Sequence, residues 1–214
     1  MLKRIAPIIV LLLITAHVTR DVSSRVVDSH KPSLLTAPSP HEIEELRINA
    51  SRGSAEAQSN LGFMYANGFG VPRDPQQAIT LLRSAIQHGD LRAQTQLAIM
   101  LDSGDGIAVD HKEATRLYQT PAERGDARAQ HNLGLNYLHG AGVTKGVTMA
   151  IFWLRKAAEQ GLAPAQTALG KIYLQGGSLP ADKDQGLYWL QKAAHAGHSA
   201  ARTALEKLPK PASM

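Results

Sequence analysis

The chain contains no cysteine. That excludes disulfide bonds, thiol nucleophiles, cysteine-ligated zinc and a lipid-modified N-terminal cysteine. Aromatic residues are scarce, at 5%, while glycines number 18. Such a composition points to a fold with many tight helix ends and small packing residues. A long apolar run is also missing. The longest, Ile5 to Ala16, is interrupted by Pro7 and Thr15, and as a helix it rises only about 18 Å against a hydrocarbon core of about 30 Å. Charge of one sign is lacking too: 23 Lys+Arg against 18 Asp+Glu give +5. Without Lys3 and Arg4 the balance falls to +3, too small to indicate nucleic acid in the absence of a clustered patch. What is present, 43% hydrophobic and 19% charged residues over 214 positions, describes one or two ordinary globular domains.

Lys3 and Arg4 ahead of the apolar run form the n-region and h-region of a secretory signal peptide, with Ala16 placed for cleavage. Residues 1–16 are therefore expected to be an export signal, leaving no stable membrane anchor. Residues 17–40 carry no period. Lys31-Pro32-Ser33 and Ala37-Pro38-Ser39-Pro40 mark that stretch as a flexible linker.

From there one spacing dominates. Gly53, Gly89, Gly125, Gly161 and Gly197 recur every 36 residues without insertion. The same step carries Ala57/Ala93/Ala129/Ala165/Ala201 and Leu61/Leu97/Leu133/Leu169/Leu205. Further columns are Gly68/Gly104/Gly140/Gly176 and Leu81/Leu117/Trp153/Trp189. Self-similarity at this period is the signature of a solenoid. Each unit reads as two helices. In the first, Ala57, Leu61 and Tyr65 make one stripe at i, i+4, i+8, and Gly68 ends it. The second begins near Asp74 and runs through Ala78, Leu82 and Ala85 to Gly89. Asp74, Asp110 and Asp182 each stand three residues before Gln or Glu, an Asp version of the capping box.

These columns resemble the Sel-1-like repeat, a relative of the tetratricopeptide repeat. The resemblance rests on Ala57-Gln58-Ser59-Asn60-Leu61-Gly62 with Tyr65, Gly68, Gly70, Val71, Asp74 and Ala78, and on Ala129-Gln130-His131-Asn132-Leu133-Gly134 with Tyr137 and Gly140. It implies an all-α fold: a right-handed α-α superhelical solenoid of four helix pairs, units 53–88, 89–124, 125–160 and 161–196. Lone helices at 41–52 and 198–208 would cap the stack, making 41–208 one solenoid before a tail at 209–214. Terminal units must be atypical because one of their faces has no neighbour.

Unit two has Ala98 and Leu101 where the others have Gly and Tyr, and three further departures are visible. Pro121 stands where the other units have Ala85, Ala157 and Ala193, which predicts a kink or a late-starting helix. Gly146 replaces the cap acid in unit three, which predicts a helix starting at another residue. Ser178-Leu179-Pro180 remodels the fourth loop.

Chemistry-bearing motifs are few. His195 and His198 are separated by the helix-ending Gly197, His88 and His139 lie near helix ends, and the aspartates are accounted for as caps. No zinc-protease, nucleophile-elbow or phosphate-loop motif occurs. The expectation is a non-enzyme without cofactor or metal, acting through its surface and monomeric. If first helices line the concave side, as in related solenoids, the direction opposite the buried stripe holds Asn60, Phe63 and Asn67, then Arg92, Gln96 and Ile99. Arg128, His131, Asn132, Leu135 and His139 follow, and last Lys171. This is an apolar ladder, Phe63–Ile99–Leu135, flanked by amides and arginines, which suits a protein partner. Burial of the same residues between adjacent first helices is the alternative. With the expected export signal, a stack whose surface is its only instrument is expected to be a periplasmic protein-binding module, and the resemblance implies two forms of it. One form is an immunity-type inhibitor that neutralises a toxic effector of the lipase or phospholipase class delivered by type VI secretion. The other is an adaptor in envelope signalling or polysaccharide assembly. A penicillin-hydrolysing activity among cysteine-rich relatives is disfavoured by the missing cysteines.

Overall fold

The computed structural model describes residues 38–176 and 180–208. The expected signal peptide, most of the linker, the tail, and Ser178 and Leu179 of the fourth loop lie outside the described residues. The rest is helical: α1 Pro40–Ser51, α2 Ala55–Asn67, α3 Pro75–Gln87, α4 Leu91–Ser103, α5 His111–Glu123, α6 Ala127–His139, α7 Val147–Glu159, α8 Ala163–Gln175, α9 Lys183–His195 and α10 Ser199–Glu206. Each helix packs on the next in sequence, and α2 also touches α4 as α8 touches α10. The result is a solenoid of helix pairs flanked by a lone second helix, α1, and a lone first helix, α10.

The loop within each unit is held by a backbone bond that does not depend on side-chain identity. The N–H of Asp74, Asp110, Gly146 and Asp182 donates to the carbonyl of Tyr65, Leu101, Tyr137 and Tyr173 at 2.8–3.0 Å. This explains why two departures leave the register untouched. α7 starts at Val147, in step with its counterparts, although Gly146 supplies no side-chain cap. α5 starts at His111 and runs through Pro121 to Glu123, so the late start expected from proline does not occur. Pro121 lies in the last turn, where only the bond to the Leu117 carbonyl is lost. The cap acids themselves act as expected: Asp74 Oδ1 accepts from the N–H groups of Gln76 and Gln77 at 3.1 and 3.0 Å, and Asp110 and Asp182 accept from those of Glu113 and Gln185.

Glycines set how closely the units approach. A Cβ on Gly142 would fall 2.0 Å from the His111 carbonyl oxygen, so this loop lies directly on the start of the preceding second helix. Gly62, Gly134 and Gly170 admit Leu82, Leu154 and Leu190, which would stand 2.8–2.9 Å from an added Cβ; the three leucines are completely buried. The same column holds Ala98 in α4 and Glu206 in α10.

The stack begins earlier than the sequence suggests. Ser39, assigned to the linker, is the N-cap of α1: its hydroxyl accepts from the Glu42 N–H at 3.3 Å, and the Glu42 carboxylate accepts from the Ser39 N–H at 2.7 Å. The Ser39 hydroxyl, which also donates to the Glu42 carboxylate at 2.7 Å, and the Ser39 N–H together hold that carboxyl below the usual glutamate value.

Candidate functional site

The first helices form the candidate face, and their side chains divide sharply. Asn67, Arg92, His139 and Lys171 are exposed, and Asn60, Phe63, Gln96 and Ile99 are half-buried. Arg128, His131, Asn132 and Leu135 are buried and leave the candidate face. The physical reason lies in the stacking. A first helix touches the preceding second helix, its own second helix and the neighbouring first helix, so its buried arc is wider than one stripe. Leu135 joins the core with Leu154 and Leu169. Asn132 donates to the Tyr118 hydroxyl at 3.2 Å and meets His131 Nδ1 at 3.0 Å. The ladder is therefore cut to Phe63 and Ile99.

His131 belongs to a column that joins first helices end to end. Thr95 Oγ1 lies 3.2 Å from the carboxylate of Asp126, the N-cap of α6, and Thr167 Oγ1 lies 2.8 Å from Nδ1 of His198, the N-cap of α10. Burial pushes the His198 imidazole below the usual histidine value, and nearby Lys171 adds to the drop. His195 bonds the Gln191 carbonyl, so it and His198 are held apart rather than paired. Among the described residues no group of three or more His, Cys, Asp or Glu could hold a metal ion, and no helix is long and apolar enough to cross a membrane.

A polar cluster escaped the sequence reading. Asp102, Thr115 and Asn136 occupy columns that are otherwise apolar: Ala66/Leu138/Leu174, Ile79/Ile151/Leu187 and Met64/Met100/Ile172. All three are buried, and they meet where α4, α5 and α6 join. Asn136 Nδ2 donates to Thr115 Oγ1 at 2.9 Å and approaches Asp102 Oδ1 at 3.5 Å; Thr115 donates to the Ala141 carbonyl at 3.0 Å. His111 Nδ1 donates to Asp102 Oδ1 at 2.9 Å, its side chain 41% exposed over a carboxylate that is 0% exposed. The carboxylate orients the imidazole, but no nucleophile is bonded to it. The cluster ties units two and three together, and a buried polar network of this kind favours one arrangement of its helices.

A second feature lies on the second helices of units three and four. Phe152 and Tyr188 are 45% and 52% exposed and stand edge-on to buried Trp153 and Trp189, with ring centroids 4.9 and 5.0 Å apart. Lys156 Nζ sits 4.7 Å from the Phe152 ring centre and 5.3 Å from that of Trp153. Lys192 repeats the arrangement over Tyr188 and Trp189 at 5.9 and 5.3 Å.

Stacked helix pairs of near-identical length, presenting equivalent residues in rows, define the molecule as a helical repeat scaffold. The Sel1 repeat matches it four times in succession, at residues 55–90, 91–126, 127–162 and 163–198. The chain belongs to the Sel1 repeat family, a protein-interaction fold. Solved structures agree. A Sel1 repeat protein from Oxalobacter formigenes is 32% identical over 76% of this chain, with a TM-score of 0.70. A protective antigen of uropathogenic Escherichia coli, c5321, is 29% identical over 80%, also with a TM-score of 0.70. The immunity protein Pa5087 from Pseudomonas aeruginosa shares the fold, at 24% identity over 75% and a TM-score of 0.52. The chain spans 65%, 37% and 60% of those structures' own lengths, respectively. No curated protein matches its sequence.

Proposed function

We propose that this chain acts without catalysis, as an exported periplasmic solenoid that binds another protein one-to-one. In its most specific form it is an immunity-type inhibitor that neutralises a toxic effector of the lipase or phospholipase class. The observation that carries the binding reading is the repetition of partly exposed anchors on rigid helices. Phe63 and Ile99 occupy the same position of successive first helices, beside exposed Asn67 and Arg92. Anchors held on packed helices lose little freedom on docking. The sharing of this fold with Pa5087 motivates the inhibitor form, which rests on the sequence-based expectation of export as well.

The test is genetic. Deleting the gene should sensitise cells to attack by siblings that deliver effectors, and the intact gene should restore resistance. The Phe63→Glu/Ile99→Glu variant should fold but fail to restore it. Unchanged survival after deletion would overturn the inhibitor reading.

A further inference from the structure

The positive charge of this molecule is distributed unevenly, and its unneutralised part coincides with its exposed aromatics. Seven pairs lie at or before Arg116: Arg47–Glu44, Arg73–Asp105, Arg83–Glu113, Arg92 with Glu56 and Asp90, His111–Asp102 and Arg116–Glu113. Residues 145–208 carry eight basic and four acidic side chains, and no ion pair forms among those described. One cause is cap chemistry. Asp74, Asp90, Asp110 and Asp126 are N-caps in the first part, whereas Gly146, Leu162 and His198 take that place later, with Asp182 the only acid. On α7 and α9 the cations Arg155, Lys156, Lys183 and Lys192 outnumber the carboxylates Glu159 and Asp184.

We propose that the exposed face of α7 and α9 is a docking surface for an acidic, amphipathic segment of a partner protein. Its carboxylates would meet Lys156 and Lys192, and its apolar side chains would cover Phe152, Tyr188 and Met149. This deepens the protein-binding reading above, on which it rests. The geometry suits the task in two ways. Each ammonium is already held over a ring pair, so a carboxylate meets a positioned charge instead of a freely rotating lysine. The aromatic rings supply large apolar contact at low conformational cost, as anchors in protein interfaces do. The arrangement is confined to these two units. The columns of Phe152/Tyr188 and Lys156/Lys192 hold Thr80/Arg116 and Ser84/Thr120 earlier in the chain.

The test uses the whole chain with labelled 14-residue peptides in which Leu alternates with Glu, Gln or Lys, read by fluorescence anisotropy. The Glu/Leu peptide should bind at least tenfold more tightly than the other two and weaken as salt rises. Lys156→Glu/Lys192→Glu should abolish that preference with unchanged melting. Phe152→Ser/Tyr188→Ser should weaken binding at least fivefold while keeping the preference. Equal binding of all three peptides, or unchanged affinity in the lysine variant, would overturn the proposal. So would binding only to vesicles containing phosphatidylglycerol, which marks a membrane surface, or lysine-dependent self-association in sedimentation, which marks a second copy. The two readings fail separately. Protection in cells that survives Lys156→Glu/Lys192→Glu but is lost in Phe63→Glu/Ile99→Glu removes this surface and leaves protein binding in place. Protection unaffected by deletion of the gene removes the inhibitor reading whatever the peptides do.

Discussion

Residues 38–144 and 145–208 are built from one helix pair, yet their departures from its pattern point in opposite directions. In the first part they turn inward. Asp102, Thr115 and Asn136 place polar groups in apolar columns, and they find one another at the joint of α4, α5 and α6. Arginines there pair with carboxylates along the surface. In the second part Leu174, Ile151, Leu187 and Ile172 keep those three columns apolar, and the departures turn outward as exposed aromatic rings beneath lysines. A repeat scaffold can therefore fix the order of its units in one region and offer contacts in another without altering its backbone.

The largest expected effect breaks the inward half of this contrast. Asp102→Leu alone leaves His111 and Asn136 without their carboxylate and should cost about 2 kcal/mol or more, read by urea denaturation. Restoring all three apolar columns together, as Asp102→Leu/Thr115→Ile/Asn136→Met, should return stability to within about 1 kcal/mol of the parent, because removing the buried side chains of a network together is far milder than removing one, and the half-exposed His111 can turn to solvent. If the triple variant is as damaged as the single one, the three residues do not act as a unit. Next in size, Pro121→Ala should restore the α5 bond to the Leu117 carbonyl. It should raise stability by about 1 kcal/mol, or roughly 2–4 °C in Tm. An unchanged or lower Tm would mean the helix has adapted fully to the proline.

The smallest effect separates the two ends of the stack by pH. His198 caps α10 with a lowered folded pKa, so the unfolded chain takes up the proton first as pH falls. The stability this neutral imidazole gives is present above the ordinary value of 6.5 and declines below it, towards the lower folded value. Hydrogen exchange should show α10 losing protection between pH 7.5 and 5.5 before any other helix, and His198→Asn should remove that dependence. Glu42 of α1, also lowered, carries the opposite end of the stack to more acidic conditions: its contribution is kept above 4.5 and lost as pH falls through the still lower folded value.

The fold was legible because it is periodic: glycine, alanine and leucine columns locate every helix pair, and the loop backbone bond keeps the register even where the cap residue changes. Local exceptions misled for the same reason. Gly146 and Pro121 look decisive one at a time, but the repeated bond and the neighbouring helices override them. The candidate face was legible only in part. A helical wheel drawn from Ala57 assumes one buried stripe, whereas His131, Asn132 and Leu135 are also buried, Asn132 against Tyr118 of the preceding second helix and Leu135 in the core with Leu154 and Leu169. The polar cluster was written in three separate columns; what no single column carries is that Asp102, Thr115 and Asn136 meet across three helices. The lysine–aromatic pairs are visible as Phe152-Trp153 and Tyr188-Trp189 with lysines three residues beyond each Trp, but the repeat column Leu81/Leu117/Trp153/Trp189 carries only the Trp and not its exposed neighbour.

The most direct measurement is cross-linking in living cells with a lysine-reactive reagent, followed by purification of this chain and sequencing of the linked peptides. The account predicts one heterologous protein captured in equal amount, linked through Lys156 and Lys192 and at least fivefold reduced in Phe152→Ser/Tyr188→Ser. Cross-links confined to copies of this chain, or a substrate turned over by the purified protein, would contradict it.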